Sequence, residues 1–298
     1  MNIIQAIILG VVQGLTEFIP VSSTAHLVFA TRLTGLSQTL NAEQLTATIA
    51  VIQLGTLLAV FVYFAEDIWN ICLAFVRDHL LLLRGRTPPD VDGRGLLGSR
   101  LSVDAKLGWL IFIGSLPIGV LGLLFKKQIE GTFTKNLWVI ATMMVVVALL
   151  LAAAEKVGTH RRGMEQLSLG DALAVGFAQC LALIPGASRS GSTIMGGLFA
   201  GEKRETAARF SFLLSIPAIA ASGLLELKEA VHRLPPGNGA SLAVATAVSG
   251  VVGYASIWFL LRYLRTHSTA VFIGYRLVVG ALVLALLAAG FVQPLGGI

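Results

Sequence analysis

Two short stretches of this chain carry polar groups where their neighbours are apolar. The first is Gly14-Leu-Thr-Glu-Phe-Ile-Pro-Val-Ser-Ser-Thr-Ala-His26; the second is Leu183-Ile-Pro-Gly-Ala-Ser-Arg-Ser-Gly-Ser-Thr193. In the first, Glu17 is a carboxylate able to bind a hard cation, accept a proton or pair with a cation. Its plainer role is an ion pair with Arg189 and no chemistry. Ser22, Ser23 and Thr24 follow Pro20, and the plain role of such hydroxyls is helix capping. His26 lies three residues after Ser23, so a helix there puts both on one face. That spacing suits a hydroxyl nucleophile beside a base, and equally a simple hydrogen bond.

The second stretch is the sharper motif. Small residues such as Gly186 and Gly191 let backbone N–H groups approach a ligand, and a helix starting after the turn aims its first amides at an anion. Arg189 adds a planar fork suited to two phosphate oxygens. Ser188, Ser190, Ser192 and Thr193 supply further donors. A close-packed turn with a snorkelling arginine is the alternative. Arg189, however, is the only charged residue from 172 through 201, with no interface nearby to reach. Together the two stretches read as a site for a phosphorylated, membrane-borne substrate. Gln13, Gln53 and Gln179 either line that site or bridge helices, as polar residues in membrane bundles do.

The elements that must position these groups are membrane helices. Of 298 residues, 55% are hydrophobic and 13% charged, against about 25% charged in soluble domains. Apolar runs of spanning length occur at 44–65, 107–125, 137–154, 210–227, 241–261 and 271–292. No alternating strand pattern suggests a barrel, and no removable signal peptide is expected. Cys72 and Cys180 have no metal-ligand spacing and read as ordinary helix residues. Two further apolar segments, 3–34 and 171–200, are interrupted by Pro20 and by Pro185-Gly186. Broken backbone at membrane depth must be buried in protein or line a cavity, and a hairpin that enters and leaves on one side satisfies this.

Each broken segment precedes three spans. The expected fold is an all-α polytopic membrane protein of one domain, 1–298. It contains two repeats, about 1–155 and 165–298, each a re-entrant helical hairpin plus three transmembrane helices. The stretch 84–104, rich in Gly, Pro, Asp and Arg, reads as a cytoplasmic loop, with Ser102 capping the helix after it. If the N-terminus and first hairpin face outside, the cytoplasmic loops hold fourteen of the 22 lysines and arginines and the outer side six. That excess obeys the positive-inside rule. Three spans per half then make the repeats inverted, so that the hairpin tips can meet near mid-membrane. The same placement of the basic residues, in short loops, speaks against a nucleic-acid partner.

At these residues the chain resembles the undecaprenyl-diphosphate phosphatase family of the bacitracin-resistance type. The resemblance rests on the two stretches quoted, on Val51-Ile-Gln-Leu-Gly55, Gly122-Leu-Leu-Phe125 and Phe210-Ser-Phe-Leu-Leu-Ser-Ile-Pro217, and on Tyr275-Arg276. It implies hydrolysis of undecaprenyl diphosphate in the bacterial inner membrane. That reaction recycles the lipid carrier for peptidoglycan synthesis at a site open toward the periplasm. It implies a divalent cation, Mg²⁺ or Ca²⁺. The family's motif positions fall on Gln13, Glu17, Ser23, His26 and Arg189. Members with two carboxylates have two candidate metal ligands; here Gln13 leaves only Glu17. Ser22, Thr24, Gly186, Ser188, Ser190, Gly191 and Thr193 complete the expected phosphate contacts, with Gln13 and Gln53 lining. Lipid diphosphate, the bilayer and a second copy of the chain in a homodimer are the expected partners. A polyprenyl-phosphate flippase on the same scaffold is the alternative function. The acid-phosphatase superfamily is excluded: Ser188-Arg189 lacks its downstream His and Asp, and no Pro-Ser-Gly-His occurs.

Overall fold

A computed structural model describes residues 1–91, 93, 97, 100–125, 136–233 and 239–294, without the side chains of 42, 222 and 224–233. Much of Asp92-Gly-Arg-Gly95, together with Lys126, Lys127 and Lys135, lies outside the described residues, as do the side chains of Lys228 and Arg233. The described chain is helical. α1 (Ile3–Phe18) and α2 (Ser23–Leu33) form a first hairpin, followed by the short α3 (Leu36–Thr39). Next come α4 (Ala42–Tyr63), α5 (Ala65–Leu83), α6 (Val103–Leu124) and α7 (Leu137–Val157). The second hairpin is α8 (Leu169–Cys180), a 3₁₀ turn at Leu181–Leu183, and α9 (Arg189–Phe199). α10 (Arg204–Arg233), α11 (Gly239–Leu264) and α12 (Ala270–Ala288) close the fold.

Among the described residues five helices are long and apolar enough to cross a membrane: α4, α6, α7, α11 and α12. The sixth expected span, 210–227, falls inside α10. The protein is an all-α polytopic membrane protein. Large apolar side chains such as Leu123, Val251 and Val278 stand exposed on its flanks, as a lipid-facing surface requires. One stretch differs from expectation. Residues after 66, read as loop, form the helix α5. It begins directly after α4, with Glu66 and Asp67 in its first turn, where carboxylates favour the positive end of the helix dipole. Ser102 does precede α6, yet its hydroxyl donates to the buried Asp78 of α5 at 2.6 Å instead of capping.

The two halves pack crosswise. α1 lies on α11, and α8 lies on α6. The α8–α6 contact is close because a Cβ at Gly176 would stand 2.3 Å from the carbonyl oxygen of Gly114. α9 packs on α7 and α10, and α12 packs on α7. Beneath the first hairpin, Phe18 meets Phe212 edge-to-face with centroids 5.4 Å apart. Each hairpin tip is therefore gripped by helices of both halves.

Candidate active site

The two tips are built alike. Ser22 and Ser188 each hold a positive φ, 79° and 72°. Each caps the helix that follows: Ser22 Oγ accepts from Ala25 N, and Ser188 Oγ accepts from Gly191 N at 3.2 Å. Left-handed backbone is costly for a residue with a Cβ, and the cap bonds offset it. Gly186 takes φ 90° at the second tip, where a Cβ would stand 2.1 Å from the carbonyl oxygen of Ile140. Only glycine permits both the turn and that approach. The capping leaves free amides: among the described residues, the N–H groups of Arg189 and Ser190, at the start of α9, bond to no protein acceptor. These are the donors an anion needs at a helix start.

Across the tips, Arg189 Nη2 donates to Glu17 Oε1 at 2.7 Å, with the two side chains 15% and 10% exposed. The other carboxylate oxygen, Oε2, accepts from Gln13 Nε2 at 3.0 Å, and Gln13 also approaches Thr56 Oγ1 of α4 at 3.4 Å. Gln13 is fully buried, and among the described residues its Oε1 has no hydrogen-bond partner. Ser190 Oγ donates to the Ile19 carbonyl of the first tip at 3.4 Å. Arg276 of α12 ties the tips together from below. It is fully buried, and Nη1 donates to Pro20 O at 3.3 Å. Nη2 donates to Gly186 O and Ala187 O, each at 3.0 Å, and to Met143 O at 3.3 Å; Nε donates to Met144 O at 3.2 Å. Among the described residues no carboxylate pairs with Arg276, so backbone carbonyls of both tips and of α7 neutralise it.

His26 does not meet Ser23. α2 starts at Ser23, so the expected three-residue spacing is helical. Yet His26 Nδ1 lies 2.7 Å from Ser22 O, and Nε2 lies 2.6 Å from the Tyr275 hydroxyl of α12. Ser23 is half-buried and Thr24 exposed; among the described residues neither hydroxyl makes a hydrogen bond.

Thr193 stands apart from the other second-tip hydroxyls. It is buried and bonds Ser211 of α10 at 2.5 Å and Arg189 O at 2.7 Å. Ser188 and Ser190 stay together, their hydroxyls 3.3 Å apart. Gly191 lies close under Arg276, whose Nη1 is 3.2 Å from where a Cβ would be. Gln53 of α4 is half-buried, one turn before Thr56. The residues that sequence reasoning left out of the site are Thr56, Tyr275 and Arg276. Arg276 gave the signal of a lone cation inside an apolar span, and Tyr275-Arg276 was among the stretches that carry the resemblance; Thr56 gave none.

Among the described residues no group of three His, Cys, Asp or Glu side chains could hold a metal ion. The Glu17 carboxylate and the partnerless amide oxygen of Gln13 are hard oxygen donors on neighbouring turns of α1. Two such oxygens are the donor type that a divalent cation takes, and they would hold one with the Gln13 amide turned so that Oε1, not Nε2, faces Glu17.

The sequence that builds this carboxylate–guanidinium pair is similar to those of known proteins. Residues 6–282 match the model of the family described as bacitracin resistance protein BacA. The chain belongs to the BacA family. Among curated proteins it is 49% identical to the undecaprenyl-diphosphatase of Syntrophobacter fumaroxidans over 284 residues, covering 95% of this chain and 97% of that protein. It is 48% identical to the undecaprenyl-diphosphatase of Chloroherpeton thalassium, with 97% and 98% covered, and 46% identical to that of Nocardia farcinica, with 98% of each covered. These relatives of the BacA chain match it over nearly its full length.

Proposed function

We propose that this chain hydrolyses undecaprenyl diphosphate to undecaprenyl monophosphate and inorganic phosphate, recycling the lipid carrier of peptidoglycan synthesis and conferring bacitracin resistance. The observation that carries the reading is the Arg189–Glu17 pair at the meeting of two hairpin tips, in a chain whose relatives bear the diphosphatase name. Those names speak for hydrolysis rather than for a flippase.

The diphosphate enters between the tips while the polyprenyl tail stays in lipid. Arg189 and the free amides at the start of α9 hold the terminal phosphoryl group and stabilise the charge that builds on its oxygens. Glu17, with the amide oxygen of Gln13, would hold Mg²⁺ or Ca²⁺, which supplies charge neutralisation on the phosphoryl oxygens. His26 Nε2 is the base or the nucleophile. As base it takes the proton of Ser23 Oγ or of a water that attacks phosphorus; as nucleophile it attacks directly. In each case the bond from the terminal phosphorus to the bridging oxygen breaks, and undecaprenyl monophosphate leaves with that oxygen; where Ser23 or His26 is the nucleophile, a water then attacks the phosphorus bound to it, breaks the P–O or P–N bond and releases inorganic phosphate. The basic-residue asymmetry supports an inverted-repeat arrangement in the bacterial inner membrane with the tips open toward the periplasm. A homodimer is part of the same proposal, tested by the mass of the protein in nanodiscs.

Phosphate release from undecaprenyl diphosphate by the purified protein, with and without chelator, tests the reading. Turnover is expected in detergent. Lipid exchange across vesicles with no phosphate release would overturn it.

A further inference from the structure

His26 has both ring nitrogens engaged, and the partners decide its tautomer. The Ser22 carbonyl, 2.7 Å from Nδ1, can only accept, so Nδ1 carries the proton. In the neutral ring Nε2 is then the acceptor, and the 2.6 Å contact is the Tyr275 O–H donating to it. The two rings also stack, with centroids 5.6 Å apart and planes 17° from parallel. Tyr275 is partly exposed on α12, one residue before the Arg276 that ties the tips. Its hydroxyl therefore stands where a proton donor must stand if His26 is to act as base.

We propose that Tyr275 is the positioning residue of His26: with the tautomer set by the Ser22 carbonyl, its hydroxyl holds the ring's orientation in the resting enzyme and keeps the place at Nε2 later taken by the reacting hydroxyl or water. This rests on the proposed hydrolysis only for its kinetic arm. The ring stacking and the hydrogen bond are separable, because Tyr275→Phe keeps the ring and removes the hydroxyl. A purely packing role survives that change; a role that works through the hydrogen bond to Nε2 does not.

The test uses the full-length protein with ¹⁵N-labelled histidine, of which it has five, with His26 assigned by a His26→Gln variant. In the wild type the Nε2 resonance is expected at the position of an unprotonated, hydrogen-bonded nitrogen. In Tyr275→Phe it should move downfield to that of a free one. With one fixing hydrogen bond lost, kcat should fall about tenfold while KM stays within about twofold. An Nε2 resonance unmoved by Tyr275→Phe, or a wild-type kcat in that variant, overturns the proposal. Absence of phosphate release by the wild type would overturn the hydrolysis reading instead, and the resonance would still report on Tyr275.

Discussion

The Arg189 guanidinium donates at 2.7 Å to the carboxylate of Glu17, 172 residues away in sequence. The pair is nearly buried, and removing one partner leaves the other charge uncompensated. Arg189→Ala and Glu17→Ala should each lower stability by about 3–5 kcal/mol, read as thermal denaturation in detergent. Each should also lower turnover by a factor of about 10²–10³, because Arg189 holds the phosphoryl group and Glu17 positions Arg189 and would hold the cation. The double variant separates the two effects: it should regain most of the stability and none of the turnover. Near-normal turnover in either single variant would remove the pair from the active site.

Arg276 should be as sensitive, for a different reason. Its donors reach five carbonyls in three segments, and each buried acceptor left bare costs about 1–3 kcal/mol. Arg276→Met should therefore destabilise the protein strongly and abolish turnover. Arg276→Lys keeps the charge but not the fork, so it should lose less stability and still turn over poorly, since one ammonium cannot hold both tips. Equal melting temperatures for the Arg276→Lys variant and the wild type would show that the fork is not needed.

How far the sequence discloses this site depends on how unusual each residue is for its surroundings. Glu17 and Arg189 are legible because an ionisable group in an apolar segment demands a reason. The breaks at Pro20 and Pro185-Gly186 are legible because proline and glycine interrupt helices on steric grounds. The partner of His26 is not legible: helical spacing offers Ser23, while the ring turns to a tyrosine on α12, and only tertiary packing sets that direction. Arg276 sits in a span that is apolar on every side, so no periodicity says whether it faces lipid, an interface or the tips. α5 was hidden by its charges, which count toward a loop although Glu66 and Arg77 stand exposed on the helix and Asp78 is buried against Ser102.

Gln13 should set how the protein responds to metal. Its amide N–H now donates to Glu17 Oε2 at 3.0 Å. Gln13→Glu replaces that donor with a second carboxylate, and affinity for a hard cation rises with the number of charged ligands. The divalent-cation concentration for half-maximal turnover should fall about tenfold. In chelator the variant should melt below the wild type, because two carboxylates then face each other unscreened. An unchanged metal titration would show that the cation does not touch this turn of α1.

Glu202 gives the protein a pH dependence far from the tips. It lies in the turn between α9 and α10, is fully buried, and among the described residues neither of its oxygens has a hydrogen-bond partner. Burial pushes its carboxyl from an ordinary 4.5 up to about 8; nearby Asp171 pushes the same way and Arg162 opposes it. Because the folded value lies above the unfolded one, the folded state binds the proton more tightly. The stabilisation is full below pH 4.5 and is lost as the pH rises through about 8. It amounts to a few kcal/mol, at about 1.4 kcal/mol for each pH unit between the unfolded and folded values. The second hairpin is rooted here: Arg162 pairs with Asp171, which accepts from Ser168 N at 2.7 Å at the start of α8. An ionised Glu202 beside Asp171 should loosen that root first. Wild-type melting temperature should therefore fall between pH 4.5 and about 8, while Glu202→Gln, neutral throughout, should lack this fall over the same range. A Glu202→Gln curve parallel to that of the wild type would assign the pH dependence elsewhere.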